Sequence, residues 1–169
     1  MDALCIEKEK VAVLGKKLSK LLVEQGLTLA TAESCTGGRI AACVTAQAGC
    51  SSFYQGGVVA YSNEVKMQML GVSAETLALH GAVSEETVCE MAFGAMQRLK
   101  TDCAVATSGI AGPGGGTLEK PVGTIWIAAA FRNRILTRKL NGDKGRCQNM
   151  MRATREAFQL LGEAIKGEG

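Results

Sequence analysis

The chain has one histidine, His80 in "LALHGAVS", so nucleophilic chemistry that relies on imidazole has a single, poorly placed base. The candidate nucleophiles are Ser34, Cys35, Cys50, Ser51, Ser52 and Ser108. A serine–lysine pair needs only a lysine whose pKa is lowered toward neutrality. Lys66 is placed for that, in the first turn of a short helix predicted after "VAYSN". There the positive end of the helix dipole and partial burial at a strand end both disfavour the ammonium. A solvated lysine is the alternative reading. Tyr61, closing the preceding strand, can hydrogen-bond the attacking serine or the leaving group. Cys35 is a rival nucleophile, because a thiol at a helix start has its thiolate favoured, with Glu33 and Lys66 as partners. One histidine without clustered carboxylates or thiols assembles no metal site, so no metal is expected.

The segments "AESCTGG", "VAYSNEVK" and "TSGIAGPGGG" share a place as well as a character. Each ends a predicted strand, where open α/β sheets bind ligands, and each is polar or glycine-rich. Any one of them alone reads as turn punctuation. The glycine loop lacks the terminal Lys-Ser/Thr of a triphosphate-binding loop and is not G-x-G-x-x-G, which disfavours a nucleoside-triphosphate hydrolase. Bare backbone N–H groups instead suit a small anion or a flat ring. The hydroxyls and helix start of "SCTGG" favour a monophosphate or carboxylate. Together they suggest a mononucleotide.

These segments need a scaffold. In the 169 residues, apolar positions Val11, Leu14, Leu18, Leu21 and Leu22 recur at helical spacing and Gly26 stops the run, predicting a helix from Ala3 to Gln25. "LTLATAES" and "FYQGGVVAYS" read as strands, with a helix in "CTGGRIAACVTAQ" between them. "NEVKMQML" is a short helix capped by Ser62 or Asn63. Two more helices follow at about 74–79 and 85–99, capped by Ser73 and Ser84, then a buried strand in "DCAVATSG". "GTIWIAAAF" and "RILTRKL" form a hairpin over "RN", and 146–166 is a closing amphipathic helix. Alternating strands and helices with a late antiparallel pair predict a layered α/β domain, one domain over residues 1–169.

Composition bounds the function. A net charge of +3, with acids interleaved, is too small to mark a nucleic-acid surface. The most basic stretch, "FRNRILTRK", reads as a strand with a solvated basic face. No apolar run spans a bilayer and no secretory leader opens the chain, so a soluble cytoplasmic protein without nucleic-acid or membrane partners is expected. Seven cysteines without a C-x-x-C pair fit free thiols in a reducing compartment. The long first helix and small core suit a homodimer or larger homo-oligomer.

"TAESCTGG", "GGVVAYSNEVKMQMLGV", "HGAVSEETV" and "SGIAGPGGGTLEKPVGTIWIA", in this order and spacing, resemble the nicotinamide-nucleotide amidase family, also known as the C-terminal domain of the competence-damage protein CinA. The resemblance covers about residues 8–165. It implies a three-layer α/β/α sandwich with a mixed, mostly parallel sheet. The implied activity is hydrolysis of nicotinamide mononucleotide to nicotinate mononucleotide and ammonia, with no cofactor. It places a serine–lysine dyad and a helping tyrosine on Ser51, Lys66 and Tyr61. It assigns substrate binding to Ser34, Thr36, Gly37, Gly38, Ser108, Gly109, Gly112, Gly114 and Gly115. "TSG" and "GTLEKP" stand where the family usually reads "TTG" and "GTPEKP". In "NGDKGRCQNMMRATREAF", Arg146 is displaced by two residues from the family's "GDR", so neither it nor Arg152 inherits a substrate contact. A non-catalytic nucleotide-binding module of the same fold, and an amidase using Cys35, are the competing readings.

Overall fold

A computed structural model describes residues 3–167 of the chain. In order these form α1 (Ala3–Gln25), β1 (Leu29–Glu33), α2 (Arg39–Thr45), a 3-10 turn (Cys50–Ser52), β2 (Tyr54–Val59), α3 (Asn63–Leu70) and α4 (Ala74–His80). There follow α5 (Glu85–Leu99), β3 (Cys103–Gly109), β4 (Ile125–Phe131), β5 (Arg134–Leu140) and α6 (Arg146–Lys166). The sheet order is β2-β1-β3-β4-β5. β1 runs parallel to both neighbours, and β4 and β5 continue antiparallel. The layered α/β expectation holds, and the element boundaries fall within a few residues of those predicted.

Side chains alternate across this sheet because a strand has a period of two. Leu29, Cys103, Val105, Ile125 and Ile127 face a core closed by α1, α2 and α6. The opposite face is made of small residues, Ala30, Ala32, Ala104, Ala106, Ala128 and Ala130, covered mainly by α5. Val11, Gly15, Leu18 and Leu22 bury one stripe of α1 against α6; each leucine contributes about 1.5–3 kcal/mol by leaving water. The alanine face lets α5 lie close, and α5 in turn seats α3. A Cβ at Gly94 would overlap the Leu70 carbonyl at the end of α3, so this crossing admits only glycine.

Two features tie the strand ends in line. Asp102 accepts from Thr28 N at 2.9 Å and Thr28 Oγ1 at 2.8 Å where β1 and β3 begin. Where they finish, Ser34 N donates to Thr107 O at 3.0 Å and Ala60 N to Glu33 O at 2.8 Å. The chain leaves β1 for β2 on one side and crosses to β3 on the other. Open α/β sheets take their ligands beyond the carboxyl ends of the strands at such a reversal of strand order.

One expectation needs correcting. The basic strand β5 is a solvated face only in part: Lys139 is exposed, whereas Arg138 is half-buried. Arg138 pairs with Glu156 at 2.7 Å and Glu163 at 2.8 Å on α6, and Lys139 lies 5.7 Å from the Trp126 ring centroid. Arg138 fastens the hairpin to α6, and Lys139 packs within the hairpin itself. No helix among the described residues is long and apolar enough to cross a membrane.

Candidate active site

Ser62 caps α3 by accepting from Val65 N at 3.2 Å. This sets the phase of the helix so that Lys66 and Leu70, one turn apart, point inward. Lys66 thus occupies a core position and is only 1% exposed. Its Nζ donates to Ala60 O at 2.9 Å, Tyr61 O at 3.3 Å and Ser34 Oγ at 3.2 Å. Among the described residues no carboxylate forms an ion pair with it. Burial pushes its pKa below the usual 10.5, opposed only by the nearby Cys35 thiol. Were the amine to lose a proton, two hydrogens would remain for the two carbonyls and a lone pair could face the Ser34 hydroxyl, the geometry that a serine–lysine pair requires.

Ser34 follows β1 directly and is buried. The turn after it is closed by Glu33, whose carboxylate accepts from Thr36 Oγ1 at 2.6 Å, Gly38 N at 3.0 Å, Ile40 N at 3.0 Å and Ala41 N at 2.8 Å. The start of α2, expected to attract a ligand anion, is filled by the protein's own carboxylate. Thr36 also corrects an expectation. Fully buried, its hydroxyl is shared between Glu33 and Thr107 Oγ1 at 2.7 Å and is not presented to a ligand. Gly38 has spent its N–H on Glu33, and Gly37, exposed on the turn, has spent its own on Ser34 O at 3.0 Å. Nor does Cys35 have a favoured thiolate: burial, with the charge of Glu33 adding to it, pushes its pKa up to about 12.

Ser51 is not beside Lys66. It is exposed on the 3-10 turn before β2. The register pairs Leu29 with Tyr54 and Glu33 with Val59, so Ser51 lies beyond the end where the parallel strands start, and Lys66 beyond the end where they finish. At ~3.3 Å per residue, the length of β2 separates them by roughly 20 Å. The serine that the fold delivers to Lys66 is Ser34. Tyr61 is 63% exposed; its carbonyl holds Lys66, while its hydroxyl lies 3.3 Å from Arg146 Nη2 and does not bond a serine.

The glycine loop divides in two. Ser108 donates to Ala82 O at 2.7 Å, a bond within the protein. A Cβ at Gly109 would strike Ile125 and Thr124, and one at Gly112 would strike Val122. Those two are glycine because other parts of the chain press against them. Gly114 and Gly115, with Gly116 after them, are exposed and keep the bare, ligand-accessible character expected of the whole loop. The loop is clamped by the start of α6. Arg146 donates to Gly112 O at 2.6 Å, and Asn149 donates to Ala111 O at 3.0 Å and Asp143 Oδ1 at 2.8 Å. Sequence reasoning set Arg146 aside and missed Asn149. A polar residue on the buried stripe of α6, beside Met150 and Ala153, was the signal available. Arg152 instead braces Asn141 O and Gly142 O, each at 2.9 Å. Concavities of about 640 and 730 Å³ lie along α1 and α6, away from Ser34 and Lys66, and are lined by residues such as Leu14 and Gln159.

With this geometry in hand, comparison with known proteins is specific. The profile of the CinA C-terminal domain matches residues 11–165. A relative from Escherichia coli K12 named nicotinamide-nucleotide amidohydrolase PncC is 49% identical over 151 residues, covering 88% of this chain and 90% of its own length. A CinA-like protein from Amoebophilus asiaticus is 46% identical over 89% of this chain, which spans only 36% of that longer relative. The crystal structure of the competence/damage inducible protein CihA from Agrobacterium tumefaciens superposes with a TM-score of 0.90 at 42% identity, covering 92% of this chain and 96% of that one.

Proposed function

The chain belongs to the CinA C-terminal domain family, and from that premise and the surroundings of Lys66 we propose that it hydrolyses the carboxamide of nicotinamide mononucleotide, with Ser34 as nucleophile and Lys66 as its base. The observation that carries this reading is a buried lysine without a carboxylate partner, its Nζ 3.2 Å from a buried serine hydroxyl at a strand end. The name of the Escherichia coli relative supplies the substrate.

In this mechanism neutral Lys66 takes the Ser34 proton as Oγ attacks the carboxamide carbon. The tetrahedral intermediate collapses, Lys66 returns the proton to the departing nitrogen, and ammonia leaves an ester on Ser34. Water, deprotonated by the same amine, then cleaves the ester to the free carboxylate and restores Ser34. The substrate phosphate is assigned to the exposed side of the glycine loop, where Gly114 and Gly115 offer backbone and Arg146 offers charge. Tyr61, bridged to Arg146, forms the lip between them. Ser51 has no part in proton transfer.

The test is direct. Purified protein incubated with nicotinamide mononucleotide should release equimolar ammonia and nicotinate mononucleotide, and Ser34→Ala should not. Tight binding without product would support the non-catalytic module and end the amidase reading.

A further inference from the structure

We propose that Glu33 is a positioning residue for the Ser34–Lys66 pair, acting through the turn it closes and without touching a reacting atom; the proposal rests on Ser34 being the nucleophile. Glu33 is 1% exposed, and a buried carboxylate is costly unless its oxygens are satisfied. No lysine or arginine pairs with it among the described residues. It is satisfied instead by Thr36 Oγ1, Gly38 N and Ile40 N on one oxygen and Ala41 N on the other.

The origin of the cap matters. The residue that normally caps α2, Gly38, sits at φ 90° and has no side chain to offer. A cap from that position would hold the helix only to itself. Coming from the last residue of β1, it ties helix to strand, and Ser34 lies in the short bridge between the two. The main chain of Glu33 reaches the other half of the pair: its carbonyl accepts from Ala60 N at 2.8 Å, and the Ala60 carbonyl accepts from Lys66 Nζ at 2.9 Å. One residue therefore registers the serine through its side chain and the lysine's cradle through its backbone. The separation it sets is the 3.2 Å between Nζ and Oγ.

Glu33→Gln keeps the shape but turns an amide NH2 toward backbone donors, so the turn must shift. A displacement of about 1 Å at a reacting group costs on the order of 100-fold in rate. The expected result is a kcat lowered about 10–100-fold with KM within about 3-fold, in a protein whose far-UV circular dichroism matches the wild type. The rate of Ser34 labelling by a fluorophosphonate probe should fall in parallel. Thr36→Val, which removes one donor to Glu33, should lower kcat in the same direction, and Thr36→Ser should restore it. If Glu33→Gln does not fold, the Thr36 pair decides. Wild-type kcat and labelling in folded Glu33→Gln, or a loss confined to KM, would overturn the positioning role. Ser34→Ala assayed alongside separates the two ideas: full activity there would sink the nucleophile assignment itself, whereas an inactive Ser34→Ala beside a fully active Glu33→Gln removes only the role of Glu33.

Discussion

Ser34 and Ser51 each adjoin a cysteine and each flank a strand, yet they occupy opposite ends of two adjacent parallel strands. Ser34 follows the last residue of β1, is buried, and meets a lysine. Ser51 precedes the first residue of β2, is exposed, and sits in a turn whose neighbouring bond is local, Ser52 Oγ donating to Gly49 O at 2.9 Å. A hydroxyl becomes a nucleophile only where a base is held against it, and in this sheet the serine held against a lysine is the one where the strands finish. The carboxyl ends collect Ser34, the Ala60 and Tyr61 carbonyls, Lys66 and the glycine loop. The amino ends collect turns that need only satisfy themselves.

The widest separation of these two regions should appear in rates. Ser34→Ala and Lys66→Ala should each lower kcat by about 1,000-fold or more, whereas Ser51→Ala stays within about 3-fold, measured by ammonia release. Lys66→Arg should be as inactive as Lys66→Ala, since a guanidinium keeps its proton; the reverse order of the two serines would break the comparison outright. Next in size is the pH dependence. A base must be neutral to act, so kcat/KM should climb with pH on an acid limb whose midpoint lies below the ordinary lysine value of 10.5. A profile that is flat, or that begins to rise only at that value, contradicts a buried, deprotonated Lys66.

Smaller effects separate Cys35 from its neighbour. Cys35→Ala should retain activity within about 5-fold. Iodoacetamide at pH 8 should modify exposed Cys5 and Cys147 and spare Cys35, whose thiol is buried with a pKa of about 12; peptide mass spectrometry reads the pattern. The smallest concerns stability. The folded pKa of Lys66 is depressed, so between it and 10.5 the unfolded chain binds the extra proton and stability rises with pH. The isosteric Lys66→Met should therefore melt about 2–4 °C higher near neutrality, with the gap closing as pH approaches 10.5. A lower Tm for Lys66→Met would show that the lysine stabilises the fold instead of burdening it.

Much of the architecture is legible without coordinates. The stripes Val11, Leu18, Leu22 in α1 and Ala153, Ala157, Leu161 in α6 follow from helical period, and the alternation along β1, β3 and β4 from the strand period. Lys66 was also legible, because a capped helix beginning just after a strand places its first-turn side chain near the strand end. The cap made by the Glu33 carboxylate was not, since three of its four donors are backbone N–H groups, up to eight residues away, that carry no side-chain signature. Neither were the reasons behind Gly109 and Gly112, which answer to Ile125, Thr124 and Val122 across the sheet end. Arg146 looked misplaced by count, yet the loop before α6 brings it to Gly112 O and Tyr61.

What the amino-acid order alone determined is the α/β layering, the family, and the place of Lys66 at a strand end near the glycine loop. Which serine faces Lys66 was decided by topology. Ser51 is fifteen residues before Lys66 and Ser34 is thirty-two, but a helical crossover between parallel strands sends the chain back to the far end of the sheet before each new strand begins. Residues that are near in sequence across one strand are thereby parted by its full length, and residues two elements apart meet where the strands end.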